Sequence, residues 1–285
     1  MILNPAVQVA VALVTGLMFG SFANVCIHRM PGRQSIVWPG SACPACGAAI
    51  AWYDNLPVLS FIILGGRCRR CRASIPFRYP MVEALSGLLL AALCYRDGLS
   101  LQWIAESWLT LSIMILVPID LHHGILPDLV TLPGIAMGLV FSLAGGMAGL
   151  NASLWGGVVG ALVPFSVRLL YMAYVRARSA LRRDSLETPA ENSEVEQERR
   201  EGMGLGDVKM LAMAGVFLGV GKVLLTMLLG SVIGSLYVVP LVLIGRQSMK
   251  TSVPFGPFLG LAALISLFAG TQIIDWYLAL VISWT

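Results

Sequence analysis

The chain has 285 residues, of which 57% are hydrophobic and 12% are charged, with a formal net charge of +4. A soluble globular domain carries about 25% charged residues, so this composition excludes an ordinary water-soluble enzyme. The sequence predicts an all-α integral membrane protein whose surroundings are a lipid bilayer, and we expect no nucleic-acid partner.

Apolar stretches of roughly 17 to 25 residues are long enough to cross a bilayer as helices. Eight such stretches are predicted, at residues 6–28, 80–96, 101–119, 129–148, 152–175, 203–221, 223–245 and 257–283. The first has no basic residue before it and no small-residue cleavage pattern after it, so we predict a retained span and not a removed signal peptide. The chain is therefore expected to comprise a first helix (1–28), a polar segment (29–79) and a seven-helix bundle (80–285).

The basic residues predict the orientation of these spans. Most of them lie in three loops, residues 29–79, residues 176–202 and the loop that holds Arg246 and Lys250. All three loops fall on one side of an eight-span layout, and loops rich in Lys and Arg face the cytoplasm. Both termini are then expected on the opposite side.

The polar segment contains two Cys-x-x-Cys pairs. Cys43 and Cys46 form the first pair, and Cys68 and Cys71 follow after 21 intervening residues. Four thiolates can bind Zn²⁺ tetrahedrally in a closed structural site. The alternative is a pair of disulfides, which rarely persist in the cytosol. We therefore predict a structural zinc ion that stabilises a segment too small for a secure core of its own.

A charged segment, residues 176–202, interrupts the predicted bundle. It has few large apolar residues and cannot bury enough surface to fold alone. We predict a solvated linker on the cytoplasmic side.

Pairs of glycines four residues apart recur along the predicted spans. This spacing allows close approach of helix backbones. The pairs are Gly16 and Gly20, Gly134 and Gly138, Gly156 and Gly160, Gly215 and Gly219, Gly230 and Gly234, and Gly256 and Gly260. Helix packing explains them better than a binding role.

Two aspartates lie where apolar stretches meet their loops. Asp120 ends the third predicted span, and Asp207 opens the sixth at the end of Gly204-Leu205-Gly206-Asp207. Carboxylates at a membrane boundary are costly and are usually functional, and two together can activate water for hydrolysis. The alternatives are a helix-start role for Asp207 and a proton or ion pathway. Because a helix dipole favours negative charge only at its N-terminus, we predict Asp207 as the base and Asp120 as the acid.

Five further residues are candidates for shaping the site or binding a substrate. Gly204 and Gly206 are predicted to permit unusual backbone angles and close approach of an extended strand. Glu83, just inside the second span, is expected to make a buried polar contact or to recognise substrate. Asp128 is predicted to be an N-cap, with a direct role in the chemistry as the alternative. Lys209 lies two residues after Asp207 and is expected to point to a different face of the helix and to reach the membrane surface.

Six ordered segments carry a family resemblance. They are Gly20-Ser21-Phe22-Ala23-Asn24-Val25 with Arg29 and Pro31; the cysteine pairs with Trp52-Tyr53-Asp54; Arg78-Tyr79-Pro80 with Glu83; Ile119-Asp120 through Leu126-Pro127-Asp128; Glu201-Gly202-Met203-Gly204-Leu205-Gly206-Asp207-Val208-Lys209; and Pro254-Phe255-Gly256-Pro257-Phe258. Through them nearly the whole chain resembles the type IV prepilin peptidases, which are integral membrane aspartic proteases.

This resemblance implies that Asp120 and Asp207 are a catalytic pair. The implied reaction removes the leader of type IV prepilins and type II secretion pseudopilins after a glycine, at the cytoplasmic face of the bacterial inner membrane, with both termini periplasmic. Methylation of the new N-terminus by S-adenosylmethionine is implied as well, although no glycine-rich nucleotide fingerprint follows a strand in this chain. The alternatives are a presenilin-like protease, which would carry Pro-Ala-Leu where this chain has Pro254-Phe255-Gly256-Pro257, and an ion-coupled carrier with carboxylates near the midplane.

Overall fold

The computed structural model describes residues 4–147, 149–183, 204–244 and 253–282, and this described part is all-helical apart from two isolated β-bridges. The helices are α1 (Pro5–Arg29), α2 (Leu59–Ile63), α3 (Arg78–Asp97), α4 (Leu101–His123), α5 (Asp128–Leu143), α6 (Leu150–Arg183), α7 (Leu205–Leu243) and α8 (Gly256–Ile282), with a 3-10 helix at Trp52–Asn55. The chain divides into two compact units, Met1–Leu150 and Asn151–Thr285.

Among the described residues, five helices are long and apolar enough to cross a membrane, namely α1, α4, α6, α7 and α8. The chain is therefore a multi-pass membrane protein. Helix α3 contains 20 residues but is less apolar, and α5 has only 16 residues. Both lie where spans are predicted, and the count of eight spans remains a prediction.

Helix α7 is interrupted near its middle. It contains 39 residues, more than one bilayer crossing requires. At Gly219 the backbone has φ 75° and ψ 176°, outside the helical region, and a positive φ of this kind favours glycine. The sequence predicts a boundary between two spans close to this residue.

Helices α1 and α3 pack closely through glycines of α1. A Cβ on Gly16 would lie 2.6 Å from the Ser86 carbonyl oxygen and 2.7 Å from the Gly87 Cα. A Cβ on Gly20 would lie 2.7 Å from the Glu83 Cα. The predicted packing role of this glycine pair is confirmed, and the two helices run antiparallel because the later glycine meets the earlier residue of α3.

We expect Gly16→Ala to lower the stability of the protein by about 2 kcal/mol, because the added methyl group would press on α3 backbone atoms that cannot rotate away. The measurement is thermal unfolding in detergent. Gly221→Ala is the control, since its Cβ would meet only Ile274 Cδ1 at 3.5 Å and alanine is the better helix former. Equal losses in both variants would contradict the packing argument.

Close glycine contacts recur in the unit Asn151–Thr285. A Cβ on Gly156 of α6 would collide with the Gly215 carbonyl oxygen of α7, and one on Gly160 would meet the α7 backbone. Beyond the interruption, a Cβ on Gly230 would lie 2.9 Å from Leu259 Cδ2 of α8. These glycines therefore bring α6 and α8 against α7, as their spacing predicts.

Helix α6 extends past the predicted end of its span. It continues to Arg183, so residues 176–183 of the predicted linker are helical. This stretch contains alanine, leucine and arginine, which are good helix formers. The rest of the predicted linker, residues 184–202, lies outside the described residues.

Candidate metal centre and active-site residues

The four predicted cysteines meet between α1 and α3. Their sulfur atoms all lie within 4.8 Å of one another, and Cys43 Sγ lies 3.8 Å from Cys71 Sγ. A tetrahedron with Zn–S bonds of about 2.3 Å has edges of about 3.8 Å, whereas a disulfide requires about 2.05 Å. The predicted convergence of the thiols is confirmed, and the donor set fits a tetrahedral thiolate-bound ion.

Two turns of the same geometry supply these sulfurs. In each turn the first cysteine, Cys43 or Cys68, donates its amide at 2.9 Å to the carbonyl five residues later. The residue after the second cysteine has a positive φ in both turns, 68° at Gly47 and 61° at Arg72. Backbone hydrogen bonds within each turn thus fold each Cys-x-x-Cys pair locally. The tertiary structure then needs only to bring the two turns together.

We expect Arg72→Gly to stabilise the second turn by up to about 1 kcal/mol, because a left-handed backbone costs a residue with a Cβ about 1–2 kcal/mol. Gly47→Ala should destabilise the first turn by a similar amount. Competition for the bound metal by a chromogenic chelator measures both changes. If both substitutions weakened metal retention equally, backbone strain at Arg72 would not be the cause.

The thiols influence one another's ionisation. Backbone amides of Cys71 and then Arg70 lower the pKa of the Cys68 thiol to about 6. The Ala73 amide lowers the pKa of the Cys71 thiol, but desolvation and then hydrogen bonds to neighbouring thiols, Cys46 first, outweigh it and raise that pKa to about 11. The cluster therefore resists losing all its protons by itself, and a bound divalent cation supplies the charge that full ionisation needs.

An ion pair fixes the second cysteine turn to the 3-10 helix. Arg69 Nη2 lies 2.6 Å from Asp54 Oδ1, and Arg69 Nε lies 2.8 Å from Oδ2. The hydrogen bonds from Arg69 hold the pKa of Asp54 below its usual value. Because the pKa is lowered in the folded state, this contribution is present at neutral pH and is lost as the pH falls through that lowered value.

Asp120 lies in the last turn of α4, as predicted, and only 5% of it is exposed. The helix ends at His123, and Gly124 closes it in a left-handed conformation with its amide 2.8 Å from the Asp120 carbonyl oxygen. A carboxylate at this position gains nothing from the helix dipole. Its burial therefore points to a role other than helix stability.

Asp207 lies in the first turn of α7 and is 9% exposed. Gly204 is the N-cap residue, with φ −64° and ψ 146°, and Gly206 is already helical. Neither glycine adopts the unusual backbone angles that the residue type permits, because α7 begins directly after Gly204. A Cβ on Gly204 would lie 3.5 Å from Asp207 Oδ2, so glycine leaves the space beside this carboxylate open. Lys209 follows in the same helix and is half-buried.

Asp128 is the exposed first residue of α5. The N-cap is Pro127, which has an extended backbone with φ −62° and ψ 128°. The prediction that Asp128 is the N-cap is wrong by one residue, because the proline holds the last non-helical position. An acid in the first turn still interacts favourably with the helix dipole.

Glu83 makes the buried polar contact that the sequence predicts. The half-buried side chain accepts a hydrogen bond at Oε2 from the Val58 amide, at 2.8 Å. Val58 has φ 61°, which is a rare conformation for a β-branched residue. Nearby, the buried Asn24 donates from Nδ2 to the Tyr79 carbonyl oxygen at 3.0 Å. Sequence reasoning assigned no role to Asn24, although an amide inside an apolar span is a signal that could have found it.

Described residues thus define a multi-pass membrane protein with a cluster of four thiols that fits a metal ion and with two buried carboxylates at helix ends. Residues 14–96 match the family described as Bacterial Peptidase A24 N-terminal domain. Residues 107–239 match the Type IV leader peptidase family.

Known relatives extend this match over almost the full length. The chain is 35% identical over 298 residues to the prepilin leader peptidase/N-methyltransferase of Stutzerimonas stutzeri, covering 96% of this chain and 95% of that protein. It is 33% identical to the proteins of the same name from Pseudomonas aeruginosa, with coverage of 96% and 95%, and Aeromonas salmonicida, with coverage of 98% and 96%. The chain belongs to the type IV leader peptidase family. No solved structure matches it.

Proposed function

We propose that this protein is a membrane aspartic endopeptidase that removes the leader peptides of type IV prepilins and type II secretion pseudopilins. We further propose that it then methylates the new N-terminus. One observation carries the proposal: the region that matches the Type IV leader peptidase family, residues 107–239, contains both Asp120 and Asp207. Each carboxylate is buried at a helix end, which supports a chemical role for the pair.

Hydrolysis by this pair follows from the helix ends on which the two residues lie. Asp207, near the positive end of a helix dipole, is the ionised base, and Asp120 is the protonated acid. Asp207 takes a proton from water while the water oxygen attacks the scissile carbonyl carbon, and Asp120 donates a hydrogen bond to the carbonyl oxygen. The carbon–nitrogen bond then breaks, and the leaving amine receives the proton that Asp207 took from water. In this proposal Gly204, Gly206 and Lys209 border the site, and Asp128 contributes to substrate binding beyond it.

The proposed topology has eight crossings of the bacterial inner membrane. Helices α3 and α5 cross in addition to the five longer apolar helices, and α7 crosses twice, with the interruption at Gly219 at the periplasmic side. Both termini are then periplasmic, and both aspartates reach the cytoplasmic face. The basic loops favour this orientation, because residues 29–79 and the segment before α7 lie on the same side.

The proposed ligands are a structural Zn²⁺ ion and S-adenosylmethionine. Cys43, Cys46, Cys68 and Cys71 would hold the zinc with no open coordination position, so the ion stabilises the segment and does not act on the substrate. S-adenosylmethionine supplies an electrophilic methyl group to the free amine that leader removal produces.

The proposal is tested with purified protein and a prepilin in detergent, with and without S-adenosylmethionine, by measuring the product mass. We expect loss of the leader in both reactions and addition of a methyl group only when S-adenosylmethionine is present. A prepilin that stays intact under both conditions would contradict the peptidase function. The family match favours neither a presenilin-like protease nor an ion-coupled carrier.

A further inference from the structure

A cavity of about 390 Å³ lies between α1, the cysteine segment and the start of α3. Its lining includes Ser21 and Asn24 of α1, Tyr53 of the 3-10 helix, and Tyr79 and Glu83 of α3. Small-molecule sites generally have volumes of roughly 300–1,000 Å³ and combine apolar walls with a few fixed polar groups. The cavity therefore has the size and lining of a ligand site, and it lies within the unit Met1–Leu150.

The carboxylate of Glu83 is held in a fixed position in this cavity. Its Oε2 accepts the hydrogen bond from the Val58 amide, and the side chains of Ser21 and Asn24 also interact with it. The backbone of Val58, with φ 61° and ψ −46°, is strained, and strain of this kind is characteristic of functional sites. Gly20 places α1 directly against the Glu83 backbone. Three residues of α1 and the Val58 amide before α2 thus converge to orient one acidic side chain.

The carboxylate of Glu83 favours a cationic group at its own part of the cavity. Three arginines line the cavity: Arg29 donates to the carbonyl oxygens of Ser35 and Gly40, Arg69 pairs with Asp54, and Arg70 adds a further positive charge to the lining. Across the described ranges of the chain, Glu83 takes part in no ion pair. A partly buried carboxylate without a counter-ion is costly, and a bound cation removes that cost.

Aromatic side chains in the lining suit a ligand with a flat ring. Tyr53 and Tyr79 both line the cavity, and the Tyr53 ring packs edge-to-face against Trp52 with centroids 5.7 Å apart. Aromatic faces stack on purine bases and attract cations. Arg69 lies over one face of the Tyr53 ring, 5.7 Å from its centroid, and Arg78 lies over one face of the Tyr79 ring, at 5.2 Å. The lining therefore offers a negative group and the opposite face of each ring within one cavity.

We propose that this cavity is the methyl-donor site and that it binds S-adenosylmethionine with the sulfonium group facing Glu83. The proposal rests on the N-methyltransferase part of the proposed function. S-adenosylmethionine combines a fixed positive charge on sulfur with an adenine ring, which matches the carboxylate and the aromatic lining. Glu83 is then a binding residue for the methyl donor and not a partner of the two aspartates.

The test compares S-adenosylmethionine with S-adenosylhomocysteine, which lacks the methyl group and the charge on sulfur. Calorimetric affinities of the full-length protein in detergent are measured for the wild type and for Glu83→Gln. We expect Glu83→Gln to weaken binding of the charged compound roughly 10- to 100-fold, the range for interactions with charged groups, and to change affinity for the neutral compound much less. Asp275→Asn, an exposed carboxylate on α8, is the control and should change neither affinity.

A second variant keeps the test decisive if Glu83→Gln folds poorly. Ser21→Leu places a larger side chain in the cavity from α1 and should abolish binding of both compounds, while the metal content and unfolding temperature stay at wild-type values. Unchanged affinities in both variants, or equal losses for the two compounds in Glu83→Gln, would overturn the proposal. Leader removal and methylation by the wild type are measured separately. If the wild type cleaves and methylates but Glu83→Gln does not change the affinity for S-adenosylmethionine, this site is disproved and the proposed function is not.

Discussion

Asp120→Asn and Asp207→Asn are each expected to slow leader removal by roughly 10²- to 10⁴-fold, the usual contribution of a general acid or base. Asparagine has nearly the same shape as aspartate but does not ionise and has no acidic proton to donate. The loss should therefore appear in the rate of cleavage and not in folding. Initial rates on a purified prepilin, together with unfolding temperatures in detergent, separate the two effects.

The control for this pair is Asp275→Asn, which removes an exposed carboxylate from α8 and should leave the rate unchanged. Residues that act as a unit are strongly non-additive, so the double variant should be little slower than either single variant. If either single variant kept more than a tenth of the wild-type rate, or if the two losses multiplied, the carboxylates would not work together.

Cys43→Ser and Cys71→Ser are expected to eliminate bound zinc and to unfold the cysteine segment. Apparent binding energies of structural zinc in small peptides reach about 10–16 kcal/mol at neutral pH, more than a segment of this size gains from its own core. Metal analysis of the purified protein should find one zinc ion per wild-type chain and almost none in either variant. Proteolysis in detergent should then cut the segment between α1 and α3.

The matched control for these variants is Cys26→Ala. Cys26 is a buried thiol of α1 outside the four-sulfur cluster, so its loss should leave the zinc content unchanged. Alkylation of the denatured protein without reductant counts the free thiols and so tests the alternative of two disulfides. Two disulfides and no bound metal in the freshly purified wild type would contradict the zinc assignment.

Features encoded by local spacing are predictable from this sequence. The two Cys-x-x-Cys turns fold through their own backbone hydrogen bonds, so spacing alone identifies the cluster. Gly16 and Gly20 mark the α1–α3 contact because close packing requires a missing side chain. The position of Asp120 in the last turn of α4 is predictable because the apolar run ends at this residue and Gly124 terminates the helix.

Features that depend on distant contacts or on a single helix boundary were not predictable. The Glu83 site requires Val58 in a rare conformation and α1 packed against α3, and neither is encoded near Glu83 in the chain. The incorrect N-cap assignment of Asp128 results from a helix that begins one residue before the expected position. Sequence patterns locate helices well but do not fix their first residues.

Chemical cross-linking between positions 120 and 207 tests the central claim most directly. The variant carries Asp120→Cys and Asp207→Cys, with Cys26→Ala and Cys94→Ala to remove the two thiols outside the four-cysteine cluster. A disulfide requires Cα atoms within about 7 Å, and a short bifunctional thiol reagent extends this reach slightly. We predict a 120–207 cross-linked peptide in the mass spectrum of the membrane-embedded protein. Complete labelling of both thiols with no such peptide would contradict a shared active site.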